Sequence, residues 1–262
     1  MPTSEDPTRS PAPAVTRAAG ILTLLADRGP LGLADIARAL GLAKSSTLNL
    51  CLALEQADLV RKTDNVYALG RATVRLGGAF VREFDLVREF YRVCAESPAL
   101  HHELLQVAML DGAEVLYLAR HEGRAPLRFS ASIGDRFPAS VTAVGAALLA
   151  LLDPAEVSDR FADPATLPRW TDRSVSTVAE LRRKLDATRA RGYAVDDGET
   201  HPGVLGLAVA LPPRSPAEQP LALGASLLRS PSGEMREDEI IAALFAARSA
   251  LARPHLHLDP TI

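Results

Sequence analysis

The chain has 262 residues, enough for one large or two ordinary domains, and 47% of them are hydrophobic, which suffices for a sizeable core. No apolar run reaches the length of a transmembrane helix and no apolar signal core opens the chain, so no membrane partner is expected. Net charge is −3, but residues 1–80 carry 9 Lys/Arg against 7 Asp/Glu while residues 81–262 carry 20 against 25, so an anionic partner should meet the N-terminal part. Cys51 and Cys94 stand in apolar segments and are predicted to be reduced core residues of a cytoplasmic protein.

The first part of the chain predicts a tail and a helix-turn-helix. Residues 1–14 are rich in Pro, Ser and Thr and are predicted to be disordered, and a helical pattern opens near Val15. Two short helices follow, over residues 33–40 and 44–57, joined by the tight turn Gly41-Leu42-Ala43. Helices joined by a Gly-containing turn of this length form a helix-turn-helix. We expect Ser45 or Ser46 to cap the second helix.

A hairpin completes the N-terminal unit. Residues 59–62 and 66–69 each show the two-residue alternation of a β-strand. Thr63-Asp64-Asn65 between them are residue types that favour a turn. A helix, a helix-turn-helix and a hairpin in this order describe a winged helix, which we assign to residues 15–70.

Residues 71–98 are predicted to be linker helices, weakened in the middle by Gly77-Gly78. Val74, Val81 and Phe84 belong to an apolar stripe that has too little domain of its own to cover it. We expect these residues to pack partly on the linker helix of a second copy.

The rest of the chain mixes strand and helix patterns, which predicts an α+β domain. Asp111-Gly112 separates two apolar segments and is a strong hairpin signal. The further elements predicted here are a strand at 127–132, a helix at 140–152, a helix at 177–190 ended by Gly192, two strands within 203–211 and 220–228, and a last helix at 236–252.

These segments together resemble the IclR family of bacterial transcriptional regulators. The resemblance rests on "GLADIARALGLAKSSTLNLCLALEQADLVRK", on "ASIGDRFPASVTAVGAALLALL" and, most specifically, on "RGYAVDDGETHPGVLGLAVAL". It implies a winged-helix DNA-binding domain, a linker helix and a GAF-like effector-binding domain, here residues 99–255. It also implies a homodimer or homotetramer, double-stranded operator DNA as a partner, and control by a small metabolite, often an organic acid.

The sequence departs from the family pattern at several positions. Leu48 stands where the family has an aromatic residue or His, and Asn49 where it usually has Arg. In the effector domain, Ala146 replaces a usual Lys, Gly206 a frequent Cys and Ala210 a usual Pro. The first two departures bear on the operator, and the other three on the ligand.

The second helix of the helix-turn-helix is the predicted reader of DNA. A recognition helix places its N-terminal residues on base edges in the major groove, and small or polar side chains stand at that end here. Phosphate contacts are expected from the wing and from the first helix. The predicted DNA-binding residues are Lys44, Ser45, Ser46, Asn49, Arg61, Lys62 and Arg17. The alternative is a solvated helix in a domain that binds protein.

The predicted effector site has two walls. The polar segment around "DDGETHPG" is predicted to be a turn that leads from the helix at 177–190 into the strand at 203–211. The resemblance implies that an acidic residue of this segment bonds the ligand, and this is Asp196 or Asp197. The opposite wall would be Thr142, Ala143, Val144 and Gly145 in the first turns of a small-residue helix, whose N-terminus favours an anion. The alternative for this helix is plain packing on a sheet. Gly206 and Ser226 lie on the two apolar strands and could face the same cavity.

A metal or catalytic site in the same polar segment is the competing interpretation. Asp196, Asp197, Glu199 and His201 lack the four N/S ligands of structural zinc and the regular spacing of a calcium loop. No serine stands in a nucleophile-elbow context. We therefore predict no catalytic residue, no metal and no cofactor. Two other classes stay open: an enzyme that acts on its bound ligand, and a GAF-like binding or interaction protein without operator binding.

Overall fold

The computed structural model describes residues 10–82, 85–123, 131–211, 213, 218–228 and 234–252. The chain divides into two compact units, Met1–Glu83 and Phe84–Ile262. Within the described ranges, no helix combines the length and the apolar character needed to cross a membrane.

The first unit is a winged helix, as predicted. Its sheet has the antiparallel order β1-β3-β2, and β2 and β3 form the hairpin around Asp64-Asn65. Its core includes Ile21, Ile36 and Tyr67. The elements are α1 Pro13–Arg28, β1 Leu31–Gly32, α2 Leu33–Ala39, α3 Lys44–Gln56, β2 Val60–Thr63, β3 Val66–Leu69 and α4 Arg71–Arg82.

Two details of this unit differ from the prediction. Helix α1 already begins at Pro13, because proline at a first helical position needs no hydrogen-bond partner for its nitrogen, so Pro13 and Ala14 are not part of a disordered tail. Residues 1–9 lie outside the described part. The N-cap of α3 is Ala43 without a side-chain cap, so the expectation that Ser45 or Ser46 caps the helix is wrong. Both serines lie inside the first turn, since Ala43 is the last extended residue.

Helix α4 runs through Gly77-Gly78 without a break. Val74 is 78% exposed and Leu76 is 55% exposed, so an apolar part of this helix lacks cover within the described residues of its unit. Of the residues predicted to pack on a second copy, the side chain of Val81 and the whole of Phe84 fall outside the described part.

The second unit is an α+β domain built on a six-stranded antiparallel sheet in the order β6-β5-β4-β9-β8-β7. Its elements are α5 Asp85–Glu96, β4 Leu104–Asp111, β5 Glu114–His121, β6 Arg136–Pro138, α6 Ala143–Leu149, α7 Pro154–Arg160, a short 3-10 helix Pro164–Thr166, α8 Val178–Arg191, β7 Ala194–Asp197, β8 Val204–Leu211, β9 Leu221–Leu228 and α9 Glu234–Leu251.

Helices cover both faces of this sheet. Ala208 and Ala222 belong to the core beneath α6 and α8, whereas their neighbours Val209 and Leu223 are equally buried toward the other face, where α9 packs. Because helices cover most of both faces, β8 and β9 are near-continuous apolar runs rather than alternating ones. Helix α5, predicted as part of the 71–98 linker, falls in the second unit and packs against α9 and β5.

Three predicted elements of this unit need correction. The predicted strand at 127–132 lies mostly on residues 124–130, outside the described part, and residues 131 and 132 are not in a strand. The helix predicted from 140 begins only at Ala143, because Thr142 is its N-cap. The polar segment predicted as a turn contains an edge strand, β7, which pairs with β8. The capping box of Thr177 and Glu180 starts α8, and Gly192 ends it in the left-handed conformation, as predicted.

Candidate functional site

An open cavity lies between the sheet of the second unit and the start of α6. The cavity is small, with a volume of about 50 Å³, and it is partly open to solvent. Its polar and aromatic side chains come from five strands and two loops. The polar and aromatic side chains on its wall are Gln106, Tyr117, Phe137, Thr142, Asp196, Thr200, His201 and Ser226.

Asp196 is the acidic group of this cavity, and it is buried. Its Oδ1 accepts hydrogen bonds from the backbone N–H of Glu199 at 2.6 Å and of Thr200 at 3.2 Å. Its Oδ2 accepts from the Thr200 hydroxyl. A carboxylate offers about four acceptor positions, so these three donors leave room for about one more.

Burial raises the pKa of the Asp196 carboxyl, and the Thr200 hydrogen bond and the positive charge of Lys184 oppose that rise. Its neighbour Asp197 is different: it is exposed, it does not line the cavity, and its Oδ2 lies 2.6 Å from Arg173 Nη1. Strand alternation explains the difference, because successive residues of β7 point to opposite sides. Of the two acidic residues left open by the sequence, the structure therefore brings only Asp196 to the cavity.

The wall opposite Asp196 is formed by the start of α6. Thr142, Ala143 and Val144 line the cavity, whereas Gly145 does not. Gly145 has a packing role, since a Cβ atom there would lie 2.2 Å from the Ala139 carbonyl oxygen. The Thr142 hydroxyl already accepts from Gly145 N–H at 3.1 Å, and the helix has only 7 residues. The anion attraction expected of a helix N-terminus is correspondingly weaker.

Gly206 and Ser226 also line the cavity. They lie opposite each other on β8 and β9, and Gly206 also pairs with Asp196 on β7. A Cβ atom on Gly206 would come within 3.1 Å of Asp196 Cβ and 3.2 Å of Ala143 Cβ. Gly224 is equally constrained, since its Cβ would lie 2.6 Å from Val144 Cγ1. Because these two glycines lack side chains, α6 packs close to β8 and β9, next to Asp196 on β7.

Several lining residues escaped the sequence analysis, among them Tyr117, Phe137 and Gln106. Tyr117 packs edge-on against Phe137, with ring centroids 5.5 Å apart, and Phe137 packs in the same way against Trp170 at 5.0 Å. Burial, with a contribution from the nearby acidic charges, raises the pKa of the Tyr117 phenol, so its hydroxyl stays neutral. Gln106 is buried and donates to the Ala131 carbonyl at 3.2 Å. A glutamine inside the otherwise apolar strand sequence "LLQVAML" is a sequence feature that could have indicated a polar role at this position.

A buried ion pair supports the wall that carries Asp196. Lys184 Nζ on α8 lies 2.7 Å from Glu199 Oε1, and the same ammonium donates to the Ser140 carbonyl at 2.9 Å. Both side chains are nearly inaccessible. Burial raises the pKa of the Glu199 carboxyl, and the charge of Lys184 opposes that rise. The pair joins α8, the turn after β7 and the segment before α6.

This environment argues against a metal at Asp196 and Glu199, because their oxygens already bind backbone N–H groups and Lys184. His201 Nδ1 accepts from Gly203 N–H at 3.3 Å. No group of three or more His, Cys, Asp or Glu side chains suited to a metal exists among the residues that the structure describes.

The predicted DNA-binding residues all lie in the first unit. On α3, Lys44, Ser45 and Asn49 are exposed and Ser46 is half-buried. Thr47, Cys51 and Leu54 form the buried face of the same helix. The polar end of α3 is therefore available to a partner.

On the wing, Arg61 and Lys62 are exposed. Arg61 Nη1 donates to Thr63 Oγ1 at 3.3 Å, and Lys62 Nζ lies 5.6 Å from the centre of the Tyr67 ring. Arg17 on α1 is half-buried, and its Nε has no hydrogen-bond partner among the described residues.

Two family models match the chain. The IclR helix-turn-helix domain matches residues 14–64, and the bacterial transcriptional regulator IclR C-terminal domain matches residues 79–253. The second match alone covers more than half of the chain, and the two together include both α3 and the cavity.

Curated and solved relatives agree with these models. The glycerol operon regulatory protein of Streptomyces coelicolor is 31% identical over 90% of this chain and 94% of its own length. The HTH-type transcriptional regulator BhcR of Paracoccus denitrificans is 30% identical over 73% of this chain and 69% of its own length. The solved IclR homologue of Microbacterium hydrocarbonoxydans, complexed with 4-hydroxybenzoate, has a TM-score of 0.78 at 23% identity, covering 91% of this chain and 97% of that one.

Proposed function

Because this chain belongs to the IclR family and is a DNA-binding transcriptional regulator rather than an enzyme, we propose that it binds operator DNA through α3 and the wing and that a small organic acid in its cavity controls that binding. The observation that carries the effector proposal is Asp196: a buried carboxylate with one acceptor position left, on the wall of an open cavity.

The cavity side chains suit a hydroxylated acid. The hydroxyls of Tyr117, Thr142 and Ser226 line it and can donate to a ligand carboxylate, whereas an ionised Asp196 can only accept. A ligand with a carboxylate at one end and a hydroxyl at the other meets both requirements. The Microbacterium relative, whose ligand is 4-hydroxybenzoate, is an example of a family member with a ligand of this kind.

As in other winged helices, the DNA contacts would divide into base contacts by the recognition helix and phosphate contacts by the wing and the first helix. Lys44, Ser45, Ser46 and Asn49 stand at the N-terminal end of α3, where base edges are read, while Arg61, Lys62 and Arg17 carry charge for phosphates. A single α3 helix, with Lys44 as its only cationic side chain, would bind DNA weakly. The proposal therefore includes a dimer or tetramer that places several copies of α3 on one operator. The exposed Val74 and Leu76 on α4 provide an apolar surface for that assembly.

The DNA part is tested by footprinting on the DNA upstream of the protein's own and neighbouring genes at several salt concentrations. We expect a site with two-fold symmetry and an affinity that falls steeply with salt, because phosphate contacts release counterions. Binding that ignores salt, or the lack of any footprint, would contradict operator binding and favour an interaction protein.

The effector part is tested by a thermal-shift screen against carboxylic acids, including 4-hydroxybenzoate. A hit should change operator affinity, because an effector acts through unequal affinity for the two states of the protein. Asp196→Asn should abolish that response and keep DNA binding. Asp197→Asn is the matched control and should keep both. Equal loss of response in the two variants would contradict a direct contact by Asp196.

A further inference from the structure

The exposed face of α3 carries an apolar stripe with an amide at its centre. Ser45, Leu48, Asn49 and Leu52 recur at i, i+3, i+4 and i+7, so they share one face of the helix. All four are exposed, and Leu48 and Leu52 keep 37% and 45% of their surface accessible. The buried residues Thr47, Cys51 and Leu54 lie on the other side. A helix that presents leucines beside an asparagine is suited to a partner with both apolar and hydrogen-bonding groups.

The major-groove edge of an A·T pair has this combination of groups. Adenine presents an acceptor at N7 and a donor at N6, which an asparagine amide can bond in pairs, and thymine presents a methyl group for apolar contact. Guanine, by contrast, is read mainly by Arg or Lys, and Lys44 is the sole such residue on α3. The stripe itself therefore has neither of the side chains that mainly read guanine, and Lys44 stands just before it on the helix.

We propose that this stripe makes the operator half-site rich in A·T pairs, with Asn49 on an adenine and Leu48 and Leu52 against thymine methyl groups. The inference rests on the proposed operator binding and adds the bases that are read. Ser45 lies one turn before Asn49 and can accompany it on the same groove edge. The exposed Arg61 and Lys62 of the wing supply the phosphate contacts that hold the helix in place.

A protein partner explains the stripe less well. Two partly exposed leucines offer far less apolar surface than the roughly 800 Å² per partner of a stable protein interface. The stripe is also interrupted by Asn49 and borders the cationic Lys44, which suits a polyanion. A second copy of the chain or another protein on this face is an outcome that the test below would reveal.

The test first selects bound duplexes from a random library with the full-length protein. We then replace each thymine of the selected half-site, one at a time, with deoxyuridine, which removes only the methyl group. At one or two positions the affinity should fall about fourfold, the value expected for one buried methyl-sized group. Leu48→Ala or Leu52→Ala should abolish this sensitivity at one position each. Asn49→Ala should relax the adenine preference by about tenfold or more.

Val15→Ala is the matched control, because Val15 is an exposed apolar residue of the same unit on α1. It should leave every thymine-to-deoxyuridine effect unchanged. A selected half-site dominated by G·C pairs, or a wild-type protein indifferent to deoxyuridine, overturns the inference while operator binding stands. Failure to select any sequence overturns both proposals, and loss of self-association in the leucine variants would assign the stripe to a second copy.

Discussion

Asp196 on β7 lies directly opposite Gly206 on β8, and only the missing side chain of Gly206 leaves room for the carboxylate beside α6. A Cβ atom at Gly206 would stand 3.1 Å from Asp196 Cβ and 3.2 Å from Ala143 Cβ, tighter than ordinary van der Waals contact. The glycine therefore sets the distance between the two walls of the cavity.

Gly206→Ala should lower the free energy of unfolding by about 1–3 kcal/mol through overpacking of a close contact, and it should also weaken effector binding. The added methyl pushes Asp196 and Ala143 apart by a few tenths of an ångström and narrows the cavity. Isothermal titration with the acid found by screening measures the change, and operator affinity without effector should stay the same. Gly203→Ala is the control, since its Cβ would meet His201 only at an ordinary 3.8 Å. Equal affinities of wild type and Gly206→Ala would refute this account.

The buried carboxyl of Asp196 predicts a specific dependence of stability on pH. Burial raises its pKa in the folded chain, so folding favours the protonated form. The corresponding stability is fully present below the unfolded Asp pKa of about 3.9 and is lost as pH rises through the raised folded value. Asp196→Asn removes this loss. The thermal midpoint of the variant, measured relative to wild type without ligand, should therefore rise with pH across this window.

Glu199 titrates nearby with a pKa raised in the same direction, but it is present in both proteins. The comparison between wild type and Asp196→Asn therefore reports mainly on Asp196. A difference in thermal midpoint that stays constant from acidic to neutral pH would show that the carboxylate is not desolvated in the folded protein.

The pair of Lys184 and Glu199 predicts a large effect of a single substitution and a small effect of a double one. Lys184→Met leaves the Glu199 carboxyl buried without its cation, which costs about 3–5 kcal/mol. Adding Glu199→Gln removes the buried charge, and its amide oxygen can still accept from Val175 N–H, so much of the stability should return. Urea unfolding of the three proteins measures the free energies. A double variant as unstable as the single one would be inconsistent with this explanation.

The exposed apolar face of α4 predicts an effect on assembly. Leu76→Asp should produce monomers in sedimentation and lose operator binding at the same time, because a charge in an apolar interface is costly to desolvate. Arg75→Gln changes the charge at the next position without placing one in the apolar face, and it should keep the assembly. Sedimentation of Leu76→Asp as the wild-type oligomer would assign the interface to another surface.

Local patterns in the sequence were sufficient for the elements whose contacts are close along the chain. The two short helical patterns on either side of Gly41 predicted the helix-turn-helix, and in the structure both helices bury one face in the same small core, which contains Ile36 and Cys51. The hairpin at Asp111-Gly112 and the end of α8 at Gly192 were predictable for the same reason, since a turn or a left-handed residue ends each element locally.

Tertiary pairing decided what the local sequence left open. The segment Ala194–Asp197 is short and half polar, so its pattern predicted a turn, and only its pairing with β8 makes it a strand. Once it is a strand, alternation places Asp196 inside and Asp197 outside, a choice that two adjacent aspartates cannot reveal by themselves. Ser226 reaches the same cavity as Tyr117 and Phe137, although its strand β9 is far from β5 and β6 in the chain. Their proximity depends on hydrogen bonds between strands that are not neighbours in the chain. Composition and periodicity do not indicate which strands pair.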